Sequence, residues 1–242
     1  AWRAAGAVAA VRVNPLDGGG REDLRAVMAG RPDVVLMAMV TRPDQIRELD
    51  EAIAAEEARH GIEAASTEIV PNIETAAGLV NAAAIIGASP RVTGALLASE
   101  DMAADLGAER TPEGRELAYV RQRFLVECVA AGVTAIDCPC TFTDATTAGD
   151  DAKWARSLGY VSKSLVHATH VPALHRALTP SDAERRHAEA VIAAFQVARA
   201  HGHDRAMVRG QAVEIPTYRA ARRLLDRARA FQEFERGAAA SA

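Results

Sequence analysis

Lysine is nearly missing from this chain of 242 residues. Lys153 and Lys163 are the only two, so 26 of the 28 basic side chains are arginine. No cluster of them forms a basic patch, and against 32 acidic side chains they leave a net charge of −4, so the electrostatic footprint of a nucleic-acid binder is absent. No apolar run approaches the roughly 18 to 20 residues of a bilayer-spanning helix, and a membrane-embedded chain is not expected. The odd count of Cys128, Cys138 and Cys140 argues against a disulfide framework and predicts free thiols in a reducing, cytoplasmic setting. Cys138 and Cys140 lie in a CxC pair, but no second Cys/His pair stands at ligand spacing, so ordinary free cysteines are expected. Trp2, Trp154 and the phenylalanines show no stacking pattern and read as packing residues. What is present, 49% apolar and 25% charged side chains, is globular and suits one large domain with a small appendage, and the expected partner is a small molecule.

Apolar, β-prone runs at residues 9–14, 34–40, 68–73, 92–98, 133–138 and 160–166 alternate with helical stretches at 23–29, 43–60, 76–87, 112–131 and 152–158. Near-continuous apolar strands that each lead into a helix predict an α/β fold with a parallel sheet. Gly18-Gly19-Gly20 lacks the GxGxxG spacing and a correctly placed downstream acid, which argues against a dinucleotide fold. Polar residues instead gather at the C-terminal ends of the strands: Arg12, Asn14, Glu74, Glu100, Asp101, Asp137, Lys163 and His167. A (β/α)8 TIM barrel collects its chemistry there. Such a barrel closes with eight strands, so the strand count predicts two further βα units ahead of Ala1.

The barrel domain is expected over residues 1–178 and a C-terminal helical extension over 179–242. Just ahead of the extension, 170–178 reads as a short helix. Thr179-Pro180-Ser181-Asp182 reads as the start of a long helix through residue 200. Residues 207–215 alternate like a strand, Pro216 breaks the pattern, 217–234 forms an Arg-rich helix, and the tail from Gly237 frays.

Glu74 and Asp101 each follow an apolar strand. If those strands are neighbours, they stand about 4.8 Å apart, and the two carboxylates can share one hard divalent cation. Each also suits the first turn of the following helix, where an acid is favourable without any ligand. Glu100 and Asn14 are candidates for orienting ligands or for bonding to loop backbone, and Asp137 carries the same ambiguity.

Three segments, Val11-Arg12-Val13-Asn14-Pro15-Leu16-Asp17, Ile73-Glu74-Thr75-Ala76-Ala77-Gly78 and Ser99-Glu100-Asp101-Met102-Ala103-Ala104-Asp105-Leu106-Gly107, resemble successive signatures of the HpcH/HpaI aldolase and citrate lyase beta-subunit family. Lys163-Ser164-Leu165-Val166-His167 is similar to its Gly-Lys-x-x-Ile-His-Pro strand, and Gly210-Gln211-Ala212-Val213-Glu214-Ile215-Pro216 to its C-terminal turn. The resemblance runs in order along nearly the whole chain. It implies a TIM barrel of Mg2+-dependent carbon-carbon lyases, a homotrimer or dimer of trimers, with an acidic segment on the strands preceding Ala1.

By that resemblance Glu74 and Asp101 ligate Mg2+, and Arg12 binds the carboxylate of an oxo-acid fragment through planar, bidentate donors. Asn14, Lys163 and His167 are substrate-binding candidates beside a structural reading of each. Glu214 stands where CoA-dependent relatives place an Asp that serves proton transfer in a neighbouring subunit's site, one methylene longer here. Two more departures are Met39, where relatives carry Lys in a Leu-Pro-Lys segment, and Ala168, where they carry Pro.

The implied activity is cleavage or formation of a 3-hydroxy-acyl-CoA thioester of the malyl-, citramalyl- or citryl-CoA type, giving an oxo acid and an acyl-CoA. Hydrolysis of the same thioester, aldol cleavage of a free hydroxy-oxo acid, and a degenerate CoA-ester-binding paralogue are the alternatives.

Overall fold

A computed structural model describes residues 3–240. They form two compact units. Residues 7–178 make the larger; the chain from Thr179 onward, with the described part of the first six residues, makes the smaller. Trp2 lies outside the described residues.

In the larger unit, strands β1 (Ala10–Val13), β2 (Val34–Met37), β3 (Glu68–Ile73), β4 (Gly94–Leu97), β5 (Thr134–Asp137) and β6 (Ser162–Lys163) form one sheet in the order of the chain. Every neighbouring pair is parallel. Helices α1 (Gly20–Met28), α2 (Pro43–His60), α3 (Ala76–Val80), α4 (Ala82–Ile86), α5 (Ser99–Leu106), α6 (Ala118–Ala131) and α7 (Ala145–Leu158) fill the crossovers, and α8 (Val171–Leu178) follows β6. Sequential parallel order with no reversal is the wall of a (β/α) barrel, whereas a doubly wound sheet reverses direction at a switch point.

The register shows which side chains share a face. Val13 pairs with Met37, Ile73 with Leu97, Ala95 with Ala135, and Asp137 with Lys163. Successive side chains alternate sides, so the odd-numbered strand residues all point one way. Val13, Val35, Met37, Ile69, Ile73, Ala95, Leu97 and Ala135 join Ile46, Leu49 and Ile53 of α2 and Phe124 of α6 in the main core. The even-numbered set, Arg12, Leu36, Asn72, Leu96 and Ile136, faces the opposite side, where Leu36, Leu96 and Ile136 are only half-buried. Truncating a core residue such as Ile53, which is wholly buried, to alanine is expected to cost about 2–5 kcal/mol.

Several boundaries differ from those the sequence predicts. The helix expected over 76–87 is split at Asn81, whose side-chain amide donates to the Thr41 carbonyl at 2.9 Å. Helix α7 begins at Ala145, not 152, because the Asp144 side chain accepts from the Thr147 N–H at 2.7 Å and caps it.

The smaller unit contains helix α9 (Asp182–Ala200), a hairpin of strands β7 (Ala206–Val208) and β8 (Gln211–Val213), and helix α10 (Ile215–Ala240). Ser181 caps α9 in a reciprocal box with Glu184. The hairpin turns at Arg209 and Gly210, both at positive φ, the two-residue turn that suits strand twist. Pro216 opens α10 where the sequence predicts a break, since the first turn of a helix needs no N–H from it. The helix continues to Ala240, past Gly237, where fraying is expected.

Candidate active site

Three residues singled out in the sequence meet at the C-terminal ends of β1, β3 and β4. Arg12 lies exposed on β1, Glu74 follows the last residue of β3, and Asp101 sits in the first turn of α5, directly after β4. The Ala98 N–H donates to the Ile73 carbonyl at 3.1 Å, which ties the β4 exit to the β3 exit. Glu74 is 5% exposed. Burial raises its carboxyl above the ordinary carboxylate range and the Asp101 charge adds to the rise, while the Asn72 amide, the Arg12 guanidinium and the Met39 N–H oppose it.

The surroundings of Glu74 are built with close tolerance. Thr75 caps α3 by accepting from the Gly78 N–H at 3.1 Å. Gly78 lies so near the loop after β2 that a Cβ there would stand 2.6 Å from the Val40 carbonyl oxygen. Met39, in the same loop, has φ 54°, a left-handed conformation that costs a non-glycine residue on the order of 1 kcal/mol or more. It reaches Glu74 with its N–H, and its side chain is 42% exposed.

These residues fit a hard divalent cation. The donors are oxygens, two of them on carboxylates, and the buried Asn72 Oδ1 finds no hydrogen-bond partner among the described residues. No three His, Cys, Asp or Glu side chains among the described residues converge as a metal group. An ion held by one or two carboxylates with water and substrate oxygens, the habit of Mg2+, suits such a sparse set.

The other predicted residues lie elsewhere. Asn14 is fastened to α1, its side-chain amide donating to Asp23 at 2.9 Å. Lys163 and Asp137 occupy odd-numbered positions and so point into the layer between sheet and helices. The Lys163 ammonium donates to Asp137 at 2.6 Å, to Asp151 at 2.6 Å and to the Cys138 carbonyl, which uses all three of its donors inside the protein. Arg121 on α6 closes this ring of charges by bonding both aspartates, and its guanidinium lies 4.1 Å from the ring centre of Trp154. Trp154, expected only to pack, is thus a cation-π partner. His167 Nε2 lies 3.3 Å from the Thr141 carbonyl.

Glu214 belongs to the smaller unit. It is exposed and paired with Arg205, beside a cavity of about 600 Å³ lined also by His203, Asp204 and Pro216. Burial pushes the thiols of Cys128 and Cys138 up to about 12, so neither is an activated nucleophile.

Thr141 and Arg110, which the sequence reading passed over, tie the rim together through Glu100, which it singled out. Glu100 accepts from Thr141 Oγ1 at 2.6 Å and from Arg110 Nε at 3.0 Å, and Arg110 also pairs with Glu116. Against the pull of burial, Thr141 and Arg110 hold the Glu100 carboxyl below its ordinary range, and Glu116 is held below its own by its backbone N–H, by Thr111 and by Arg110.

Residues 1–168 match the family model described as HpcH/HpaI aldolase/citrate lyase. The chain belongs to that family. It is 34% identical over 222 residues to the citrate lyase subunit beta of Escherichia coli K12, covering 90% of this chain and 73% of that one. Against a (3S)-malyl-CoA thioesterase of Cereibacter sphaeroides it is 32% identical over 232 residues, covering 93% and 75%. Protein CitE from Mycobacterium tuberculosis, solved in complex with magnesium, acetoacetate and coenzyme A, superposes with a TM-score of 0.72 at 26% identity, covering 90% and 77%. These members carry a lyase-subunit name and a thioesterase name on one fold.

Proposed function

We propose that this chain is a Mg2+-dependent carbon-carbon lyase that splits, or in reverse forms, a 3-hydroxy-acyl-CoA thioester of the malyl-, citramalyl- or citryl-CoA type. The observation that carries the reading is the meeting of Arg12, Glu74 and Asp101 at one end of three parallel strands. The names of the relatives and the magnesium, acetoacetate and coenzyme A bound by the mycobacterial CitE support it.

Cleavage between C2 and C3 removes the hydroxyl proton, turns that oxygen into the carbonyl of the oxo acid, and leaves the bond's electron pair as an enolate that is protonated to the acyl-CoA. Glu74 and Asp101 would hold Mg2+. When bound, the ion supplies Lewis-acid charge beside the oxygen on which the carbonyl develops. Arg12 takes the adjacent carboxylate in a two-pronged hydrogen bond and fixes the fragment's orientation. Burial keeps water away from the Glu74 carboxylate, which strengthens its hold on charge, while Asp101 is exposed. Glu214 is the group proposed for proton transfer, donated to a neighbouring chain's site in a homotrimer or dimer of trimers.

Chelator treatment, Glu74→Gln and Asp101→Asn are each expected to lower turnover of a malyl- or citramalyl-CoA substrate by at least about a hundredfold, because several kcal/mol of charge stabilisation depend on the pair. Full turnover in any of the three would sink the metal assignment. Thioester hydrolysis is the second reading, favoured by the 32% identity to the malyl-CoA thioesterase. Product analysis separates the two: a lyase yields oxo acid and a shorter acyl-CoA, a thioesterase yields free CoA.

A further inference from the structure

Helix α5 starts without a side-chain cap. Ala98 occupies the cap position and offers no hydrogen bond to the first turn. That turn carries Asp101, so its direction has to be set from outside. Two ties do this. Ser99, 1% exposed, donates from Oγ to the Pro139 carbonyl at 3.2 Å. Glu100 accepts from Thr141 at 2.6 Å and from Arg110 at 3.0 Å.

Arg110 is the hub of the second tie. Its side chain is 18% exposed. Its guanidinium binds Glu100 with one edge and Glu116 with another, and it lies 6.0 Å from the centre of the Phe142 ring. Glu116 in turn accepts from the Thr111 hydroxyl at 2.8 Å. One planar fork therefore joins the first turn of α5, the loop that follows the helix and the loop after β5, in a geometry a point charge would not reproduce.

We propose that Arg110 is a positioning residue for the Asp101 carboxylate: through Glu100 it fixes the uncapped first turn of α5, so that Asp101 faces Glu74 at the distance a shared divalent cation requires. The proposal rests on the metal reading above and adds a residue that touches neither ion nor substrate. Outer partners that orient ligands in this way typically change metal affinity by about 10–100-fold.

The test is calorimetric titration of the full chain with Mg2+ alone, accompanied by the melting temperature of each variant. Arg110→Ala should raise the Mg2+ Kd by at least about tenfold. Arg110→Lys, a point charge that cannot reproduce the fork, should lose nearly as much, whereas Glu100→Gln, which keeps an accepting oxygen, should retain most of the wild-type affinity. Glu100→Ala should lose as much as Arg110→Ala, and the double variant no more than either single one, because both break the same tie. An unchanged Kd in Arg110→Ala, or a double variant whose loss is the product of the two single losses, overturns the proposal. Should Arg110→Ala fail to fold, the Arg110→Lys and Glu100→Ala pair carries the same comparison. Wild-type protein that binds no Mg2+ defeats the metal reading and this inference with it, whereas wild-type binding with unaffected variants defeats this inference alone.

Discussion

Glu57 and Glu74 are the same residue type in the same unit and are almost equally buried, 2% and 5% exposed, yet their carboxyls move in opposite directions. Glu57 receives both prongs of Arg91 at 2.8 and 2.7 Å and the N–H groups of Thr67 and Ala65 at 2.9 and 3.0 Å. Although burial opposes it, these bonds hold its carboxyl at about 2. Glu74 has no such set of bonds, so burial pushes it up, and the Asp101 charge across the strand ends adds to the rise. The first lies where strands β3 and β4 begin, the second where they end. The beginnings of the strands are closed by satisfied charge, which serves stability. The ends are left with an electrostatic conflict that folding alone does not resolve, and an added cation would.

The largest effect expected from breaking this contrast is at Arg91. Arg91→Met leaves Glu57 buried without its partner and should cost about 3–5 kcal/mol in urea unfolding; a loss below about 1 kcal/mol would show the pair to be incidental. Asp50→Asn weakens the same network at its edge, where Asp50 accepts from Arg91 Nε at 2.6 Å and Ser89 at 2.7 Å, and should cost about 1–3 kcal/mol.

The two glutamates should also answer to pH in opposite ways. Glu57 has a folded pKa below its unfolded one, so its contribution is full above about 4.5 and is lost as pH falls toward about 2. Glu74 has a raised folded pKa, so whatever it contributes is present below the unfolded value and is lost as pH rises through the folded one. The smallest effect follows. In chelator, Glu74→Gln should unfold at or slightly above the wild-type midpoint at neutral pH, and its advantage should shrink as pH falls through the raised folded value and be gone below about 4.5. Midpoints measured at several pH values check the sign, and a variant less stable than wild type at neutral pH contradicts it.

Much of this architecture was readable from hydropathy. Strand β3 falls on the expected residues because Ile69, Val70 and Ile73 give it a β-prone apolar character, and α2 falls on 43–60 because Pro43 marks its first residue and the left-handed Gly61 its end. The meeting of Arg12, Glu74 and Asp101 was legible as three polar residues just where apolar strands run out. Lys163 and Asp137 show what a rule about strand ends omits. They too stand near strand ends, but on the odd-numbered face, and one step of alternation separates the barrel's mouth from its wall. Counting parity from Ala135 would have placed Asp137 behind the sheet. Arg110 had no such signal, because its role depends on a helix turn and two loops folding toward one another and no periodicity records that.

Gly78 has no chemistry of its own, yet it sets a spacing. With a Cβ required to sit 2.6 Å from the Val40 carbonyl oxygen, any other residue there would wedge the start of α3 away from the strap that presents the Met39 N–H to Glu74. A Gly78→Ala protein would keep every side chain of the candidate centre and still hold its acid at the wrong distance. In this fold the calibration of the mouth is entrusted to a hydrogen atom in place of a methyl group.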